Sequence, residues 1–225
     1  MLRPSSAFVF VIAFALSAPA ARACDLALLL AVDVSGSVDP QEYRIQMDGL
    51  ATALQDGIVA DALVDQRAHV ALLQWTGSSR QRLTVPWTAM HSHADVIRLA
   101  DTIASDPRIW RNYSTAIGEA LSVGRAAFDA VGHCAKHVMD VSGDGVSNEG
   151  SAPADERPHL RAAEITVNAI AIETDQTDLT AYFFENLITG PGAFVVTANG
   201  FEDYPEQIKR KLQRETLKQV TILQK

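Results

Sequence analysis

The sequence predicts an α/β fold: a doubly wound, mostly parallel sheet with one short antiparallel edge strand and helices on both faces. Three observations predict it. Short, almost wholly apolar runs recur along the chain, as in strands buried on both faces. Between them lie stretches whose apolar residues fall at helical spacing, and this alternation is that of a parallel sheet wrapped by helices. Of 225 residues, 48% are hydrophobic, with only 13 Gly and 9 Pro, so the chain can build a core and does not have a disordered composition.

The elements follow in order. Leu26 to Val32 reads as a doubly buried strand. Pro40 to Asp56 carries Tyr43, Met47, Leu50 and Leu54 on one helical face, and Asp39-Pro40 is a helix start. His69 to Trp75 is a second apolar strand. Gln81 to Val85 is a shorter, more polar edge strand that Pro86 is expected to end. Helices are expected over Ala94 to Ser105 and Ser114 to Ala130, then a strand over His137 to Val141. A short helix over Pro158 to Glu164 leads to a strand over Thr166 to Glu173. A helix over Leu179 to Ile188, a strand over Ala193 to Thr197 and a terminal helix over Tyr204 to Leu217 complete the chain. No internal repeat or linker divides it, so one domain is expected over residues 24–225.

The first residues differ from the rest. Arg3, the apolar run from Ala7 to Leu16 and the small residues from Ser17 to Ala23 have the order of a secretory signal peptide. The run is too short for a membrane-spanning helix. Ala21-Arg22-Ala23 places cleavage after Ala23, with Ala20 as the alternative. The mature chain would then be exported, to a periplasm or beyond, without a membrane span. Its net charge of −8 becomes −10 once Arg3 and Arg22 are lost, leaving 17 basic and 27 acidic residues. No basic run or stripe offers a nucleic-acid footprint.

Asp33-Val34-Ser35-Gly36-Ser37 stands at the end of the first strand, where ligands bind in open parallel sheets. It offers a carboxylate and two hydroxyls, the oxygen donors that hard cations take, and Gly36 is expected to let the loop turn tightly. Ser and Asp at such junctions are also ordinary helix N-caps, an alternative for Asp33 and Ser37, and likewise for Thr115.

This D-x-S-x-S resembles the first element of the metal-ion-dependent adhesion site (MIDAS) of von Willebrand factor A domains. Thr115-Ala-Ile-Gly-Glu-Ala-Leu121 resembles the second, and Asp144-Gly145 after an apolar strand the third. The resemblance covers nearly the whole mature chain, in order. Asp140-Val-Ser-Gly-Asp-Gly, Gln74-Trp75 and the tail from Gly192 to Tyr204 are similar to an uncharacterised subgroup of bacterial exported A-like proteins (DUF1194-like). The resemblance implies that Ser35, Ser37 and Thr115 contact a divalent metal directly, and Asp33 and Asp144 directly or through water. Mg²⁺ is the expected ion, with Mn²⁺ and Ca²⁺ as alternatives. It further implies an open coordination position that accepts an Asp or Glu of a protein partner.

The resemblance also implies a disulfide. Cys24 lies nine positions before Asp33 and Cys134 ten before Asp144. If those strands are adjacent and parallel, as in A domains, the cysteines meet at the end of the sheet opposite the metal. Lipidation of Cys24 competes with this, but Ala21 and Arg22 fit a lipoprotein signal poorly.

Other signals carry less. Asp140-x-Ser142-x-Asp144-Gly145 begins like an EF-hand loop, but Ser151 stands where the bidentate Glu belongs. Asp140, inside an apolar strand, is expected to be a buried, paired carboxylate, with support of the nearby metal ligands as the alternative. His91-x-His93 and the pair His133/His137 lack further zinc ligands at a convincing spacing. Trp110 and Tyr113 precede Thr115 and, with Asn148 near Asp144, are the candidate partner contacts. No nucleophile or general base stands out beside the predicted ligands. A non-enzymatic binding module is therefore expected, ahead of a metal-assisted hydrolase or a structural envelope subunit with a dispensable metal.

Overall fold

The computed structural model of the protein describes residues 24–174 and 178–217; the expected signal segment, 1–23, lies outside the described residues. Along the chain run β1 (Ala27–Asp33), α1 (Pro40–Leu54), α2 (Gly57–Asp65), β2 (His69–Trp75), β3 (Gln81–Ala89), α3 (His93–Ser105) and α4 (Ile117–Ala127). They are followed by β4 (His137–Gly143), α5 (Pro153–Ala162), β5 (Ile165–Ile172), α6 (Leu179–Asn186), β6 (Val195–Ala198) and α7 (Tyr204–Thr216). The strands form one sheet in the order β3-β2-β1-β4-β5-β6. All neighbours are parallel except β2 and β3. The expected fold class is the observed one.

β1 lies at the centre, buried along its whole length, and its side chains divide by period two. Leu28, Leu30 and Val32 join one core with Met47, Leu50, Leu99, Ile208 and Leu212. Ala27, Leu29 and Ala31 join a second core with Leu121, Phe128, Met139, Leu160 and Phe183. The first core lies under α1, α2, α3 and α7, the second under α4, α5 and α6. The central strands are thus continuous apolar runs because both faces are covered.

Several boundaries differ from expectation for local reasons. α2 has no counterpart in the sequence reading. Its nine residues begin after Asp56, whose carboxylate accepts from the Ile58 and Val59 amides, and it buries only Val59, Ala60 and Leu63. β3 runs through Pro86 to Ala89, with an irregular register opposite Val70 to Leu73. On an edge strand, at such an irregularity, the missing N–H of Pro86 leaves no ladder partner wanting. α5 starts at Pro153, with Pro158 inside it rather than at its head. α1 does begin at Pro40. Asp39 accepts from the Gln41 and Glu42 amides while Glu42 accepts from the Asp39 amide, a reciprocal cap.

Asp140 faces α7, where Lys211 forms ion pairs with both Asp140 and Glu215; all three side chains are almost fully buried. Glu215 also accepts from the Asn168 side chain at 2.8 Å. The expected buried, paired carboxylate is therefore present, and its partner comes from the terminal helix.

Candidate metal centre

β1 and β4 pair with Val32 opposite Ser142, so Asp33 and Asp144 leave the same edge of the sheet one residue out of step. The loop after Asp33 folds back on it: the Ser35 amide donates to Asp33 Oδ1 at 2.7 Å. The Ser35 and Ser37 hydroxyls lie 3.2 Å apart, and Ser37 Oγ donates to Asp144 Oδ1 at 2.7 Å. Asp33 and Ser35 are fully buried, Asp144 nearly so, and Ser37 is exposed at the mouth.

Thr115 joins this group through the backbone. Its amide donates to Asn148 Oδ1 and its carbonyl accepts from the Asn148 amide, both at 2.9 Å. The chain before α4 is therefore tied to the loop that follows Asp144. Gly118 makes the approach possible, because a Cβ there would stand 2.3 Å from the Ser151 carbonyl. Glu119 closes the contact by accepting from the Ser151 amide at 2.9 Å. Gly36 acts differently from expectation. It has no left-handed backbone; the Tyr113 carbonyl sits 3.2 Å from where a Cβ would be, and the Gly36 amide donates to that carbonyl.

The helix-cap alternative does not describe these residues. The cap of α1 is Asp39, not Asp33 or Ser37. The residue at the head of α4 is Ala116, with no side-chain cap, so the Thr115 hydroxyl is not used that way.

Two buried carboxylates in one site repel. Burial first, and then the Asp144 charge, push Asp33 up to about 8, against the Ser35 amide and hydroxyl and Arg108. Burial also raises Asp144, opposed by the Ser37 hydroxyl, its own backbone amide and Arg108. Arg108 donates to the Val34 and Ser35 carbonyls at 2.9 and 2.7 Å, so its charge lies behind the loop. Asp33 Oδ2 is buried and has no hydrogen-bond donor among the described residues. A buried carboxylate oxygen left in that state is costly, and a cation at the mouth would satisfy it. The donor set, carboxylates and hydroxyls alone, suits a hard divalent ion. The residues present fit such an ion.

The candidate partner contacts occupy different surroundings. Tyr113 is 41% exposed, with the Arg80 guanidinium over its ring. Trp110 packs half-buried against the core under α1 and α3. Asn148 is exposed, but its side-chain oxygen is taken by Thr115. Sequence reasoning missed Arg108 and Gln46. Gln46 donates to the Asp33 carbonyl and accepts from the Ser142 hydroxyl, so it ties the ends of β1 and β4 to α1. Its one signal was a polar residue on the buried face of a helix; Arg108, in an irregular loop, had none.

The model of the family described as "Protein of unknown function (DUF1194)" matches residues 23–220. No curated protein sequence matches the chain. Among solved structures, the chain is similar to proximal thread matrix protein 1 of the mussel byssus with a zinc-occupied MIDAS motif. That match has 16% identity and a TM-score of 0.66, over 86% of this chain and 46% of that one. It is also similar to the pilus adhesin SpaC of Lactobacillus rhamnosus GG, with 15% identity and a TM-score of 0.62, over 86% of this chain and 30% of that one. A von Willebrand factor type A protein of Catenulispora acidiphila matches with 19% identity and a TM-score of 0.57, over 86% and 42%. The chain thus spans less than half the length of each of these three.

Proposed function

The chain belongs to the family described as protein of unknown function (DUF1194), with a von Willebrand factor A fold, and on that premise we propose that it is an exported, metal-dependent protein-binding module. Asp33, Ser35, Ser37, Thr115 and Asp144 would hold the ion. We propose Mg²⁺, with Mn²⁺ and Ca²⁺ accepted by the same oxygen donors. The zinc-occupied MIDAS motif of the mussel protein supports a divalent cation here without choosing among ions.

One observation carries the reading: Asp33 Oδ2, buried beside Asp144 and without a donor among the described residues. When bound, the ion would supply an electrophilic point at the mouth of the site. The chain itself supplies only two carboxylates, one of them drawn toward Ser37, so an ion would keep affinity for a further carboxylate. Arg108 and the aromatic and cationic pair of Tyr113 and Arg80 favour an acidic approach to the same edge. The partner class is therefore a protein presenting an exposed Asp or Glu.

Export is part of the proposal. The leader-like order of residues 1–23 and the disulfide between Cys24 and Cys134 support a periplasmic or secreted protein, whose mature part we propose to be one domain over 24–225. No helix among the described residues is long and apolar enough to cross a membrane.

The test is a pull-down from an envelope extract with the purified domain, in Mg²⁺ and in chelator. Release of the partner by chelator, and loss of capture by Asp33→Ala, are the expected results. A partner held equally in chelator would overturn the metal bridge.

A further inference from the structure

At the end of the sheet opposite the candidate metal centre, Cys24 and Cys134 form a disulfide, with their Cα atoms 4.6 Å apart. Cys24 shortly precedes β1 and Cys134 precedes β4, as the adjacent parallel strands require. Two histidines stand over the bridge. His69, the first residue of β2, has Nδ1 3.2 Å from Cys24 Sγ and 3.9 Å from Cys134 Sγ. The His133 ring meets the His69 ring edge to face, with centroids 5.3 Å apart. One ligand atom from each of the four side chains lies within 4.8 Å of the other three. Both sulfurs are buried, His69 is half-buried and His133 is exposed, so the cluster has a floor of sulfur and an open side.

We infer that Cys24, His69, His133 and Cys134 form a zinc site in the reduced protein, gated by the disulfide. The four donors are a Cys₂His₂ set, which binds Zn²⁺ tetrahedrally with Zn–S of about 2.3 Å and Zn–N of about 2.0 Å. Such bonds place neighbouring donors about 3.5 Å apart, so the observed cluster needs shifts on the order of 1 Å once the sulfurs separate. Burial, followed by the neighbouring His133, holds His69 below its ordinary range, which favours the neutral imidazole that ligates. The oxygen-donor site lies beyond the seven residues of β1, about 20 Å away, and shares no ligand with this one.

The two states exclude each other. A dithiol reductant transfers two electrons and two protons to the Cys24–Cys134 bond, giving two thiols, and itself closes to a disulfide. Zn²⁺ then displaces one proton from each thiol, and two thiolates with two neutral imidazoles leave a site of zero net charge. While the sulfurs are bonded to each other they offer no thiolate, and no such site exists.

The test uses the purified exported chain, oxidised or reduced with a water-soluble phosphine, which becomes the phosphine oxide as water supplies oxygen and protons. Co²⁺ is the probe. The reduced protein should show a thiolate-to-cobalt charge-transfer band and the intense visible bands of tetrahedral cobalt, bleached by one equivalent of Zn²⁺. The oxidised protein should show neither, since oxygen ligands at the other site give only weak bands. His69→Ala with His133→Ala keeps both cysteines, and circular dichroism of its oxidised form checks its fold. That variant should bind Co²⁺ at least ~10-fold more weakly with an altered visible spectrum. The inference is overturned by a folded reduced protein without the charge-transfer band. It is overturned equally by a double-histidine variant with unchanged affinity and spectrum, or by a reduced chain that unfolds and is not refolded by Zn²⁺.

Discussion

Ser37 donates its hydroxyl to Asp144 at 2.7 Å, joining two loops 107 positions apart in the chain. That bond closes the oxygen cluster at the carboxyl edge of β1 and β4. It also leaves the other buried carboxylate, Asp33, with one oxygen unsatisfied. The site is thus assembled by the sheet and left short of positive charge, and the two properties are separable by substitution.

Asp33→Asn should abolish metal binding without unfolding the protein. The amide oxygen still accepts from the Ser35 amide, and the substitution removes a carboxyl that burial and Asp144 hold up at about 8. Without metal, the variant should melt at or above the wild-type temperature. In Mg²⁺ at 100 times its Kd, wild type should gain about 2.7 kcal/mol and the variant nothing. Calorimetric melts with and without metal check this; a metal-induced shift retained by the Asp33→Asn protein would remove Asp33 from the site.

Thr115 separates ligation from capping. Ala116, not Thr115, heads α4, and Thr115 is fastened by its own backbone groups. Thr115→Ser should therefore bind metal like wild type. Thr115→Ala should lose affinity by ~10-fold or more, with a metal-free stability loss no larger than the ~1 kcal/mol of one buried methyl group. A loss of about 1 kcal/mol of metal-free stability in the Thr115→Ala protein, with unchanged metal affinity, would return Thr115 to a capping role.

The bridge between Cys24 and Cys134 spans 110 positions. Closing a loop of that length is worth about 4–5 kcal/mol in the chain-entropy account, and removing a native disulfide commonly costs about 2–5 kcal/mol. Cys24→Ser with Cys134→Ser should lower the denaturant midpoint accordingly in metal-free solution. An unchanged midpoint would mean that the bridge does not constrain the unfolded chain.

The fold and the site were legible in the sequence to different depths. β1, β2 and β4 declare themselves because both faces are buried, so no polar residue interrupts them except where it has a partner. Asp140 is one such residue, beside Gln74 in β2 and Ser142 in β4, and its partner Lys211 was illegible because it lies in α7, 71 positions on. The cluster of Asp33, Ser35, Ser37 and Asp144 was legible as short motifs at strand ends, and the cysteine pair as an offset from them. Arg108 and Gln46 were not. The first acts through loop carbonyls and left no signal; the second showed only as a polar residue on the buried face of α1, which does not name its partners at the ends of two strands. α2 was missed because nine residues with three buried side chains carry too little pattern, and β3 was cut short at Pro86 because a tolerated edge proline looks like a terminator. His69 was passed over and His133 was paired with His137, because the companions that the fold gives them are the bridged cysteines, far off in sequence in the case of Cys24 and His69.

The triad of Asp140, Lys211 and Glu215 gives the pH dependence a sign. Burial first, and then the Glu215 charge, raise Asp140 from 3.8 to about 7, with Lys211 acting against them. A carboxyl raised in the folded state contributes stability that is fully present below its unfolded value and is lost as pH rises through its folded value. The loss attributable to Asp140 therefore falls between about pH 4 and pH 7. Carboxylates held low, such as Glu173 by the Thr180 hydroxyl and Asp203 by the Asn199 amide, act in the opposite sense at the acid end. A bare stability profile would mix the two, so the comparison is with Asp140→Asn, which mimics the protonated group and leaves Lys211 paired one to one with Glu215. The variant should be about as stable as wild type near pH 4 and gain on it steadily up to about pH 7, with a constant advantage above. Lys211→Met, in contrast, strands two buried carboxylates and should cost about 3–5 kcal/mol at neutral pH, with the deficit shrinking in acid as Asp140 protonates. Urea denaturation of the three proteins at several pH values, in chelator to keep the metal site silent, measures both slopes. A difference between the Asp140→Asn protein and wild type that is flat with pH would mean that Asp140 is ionised throughout and that Lys211 fully compensates its burial.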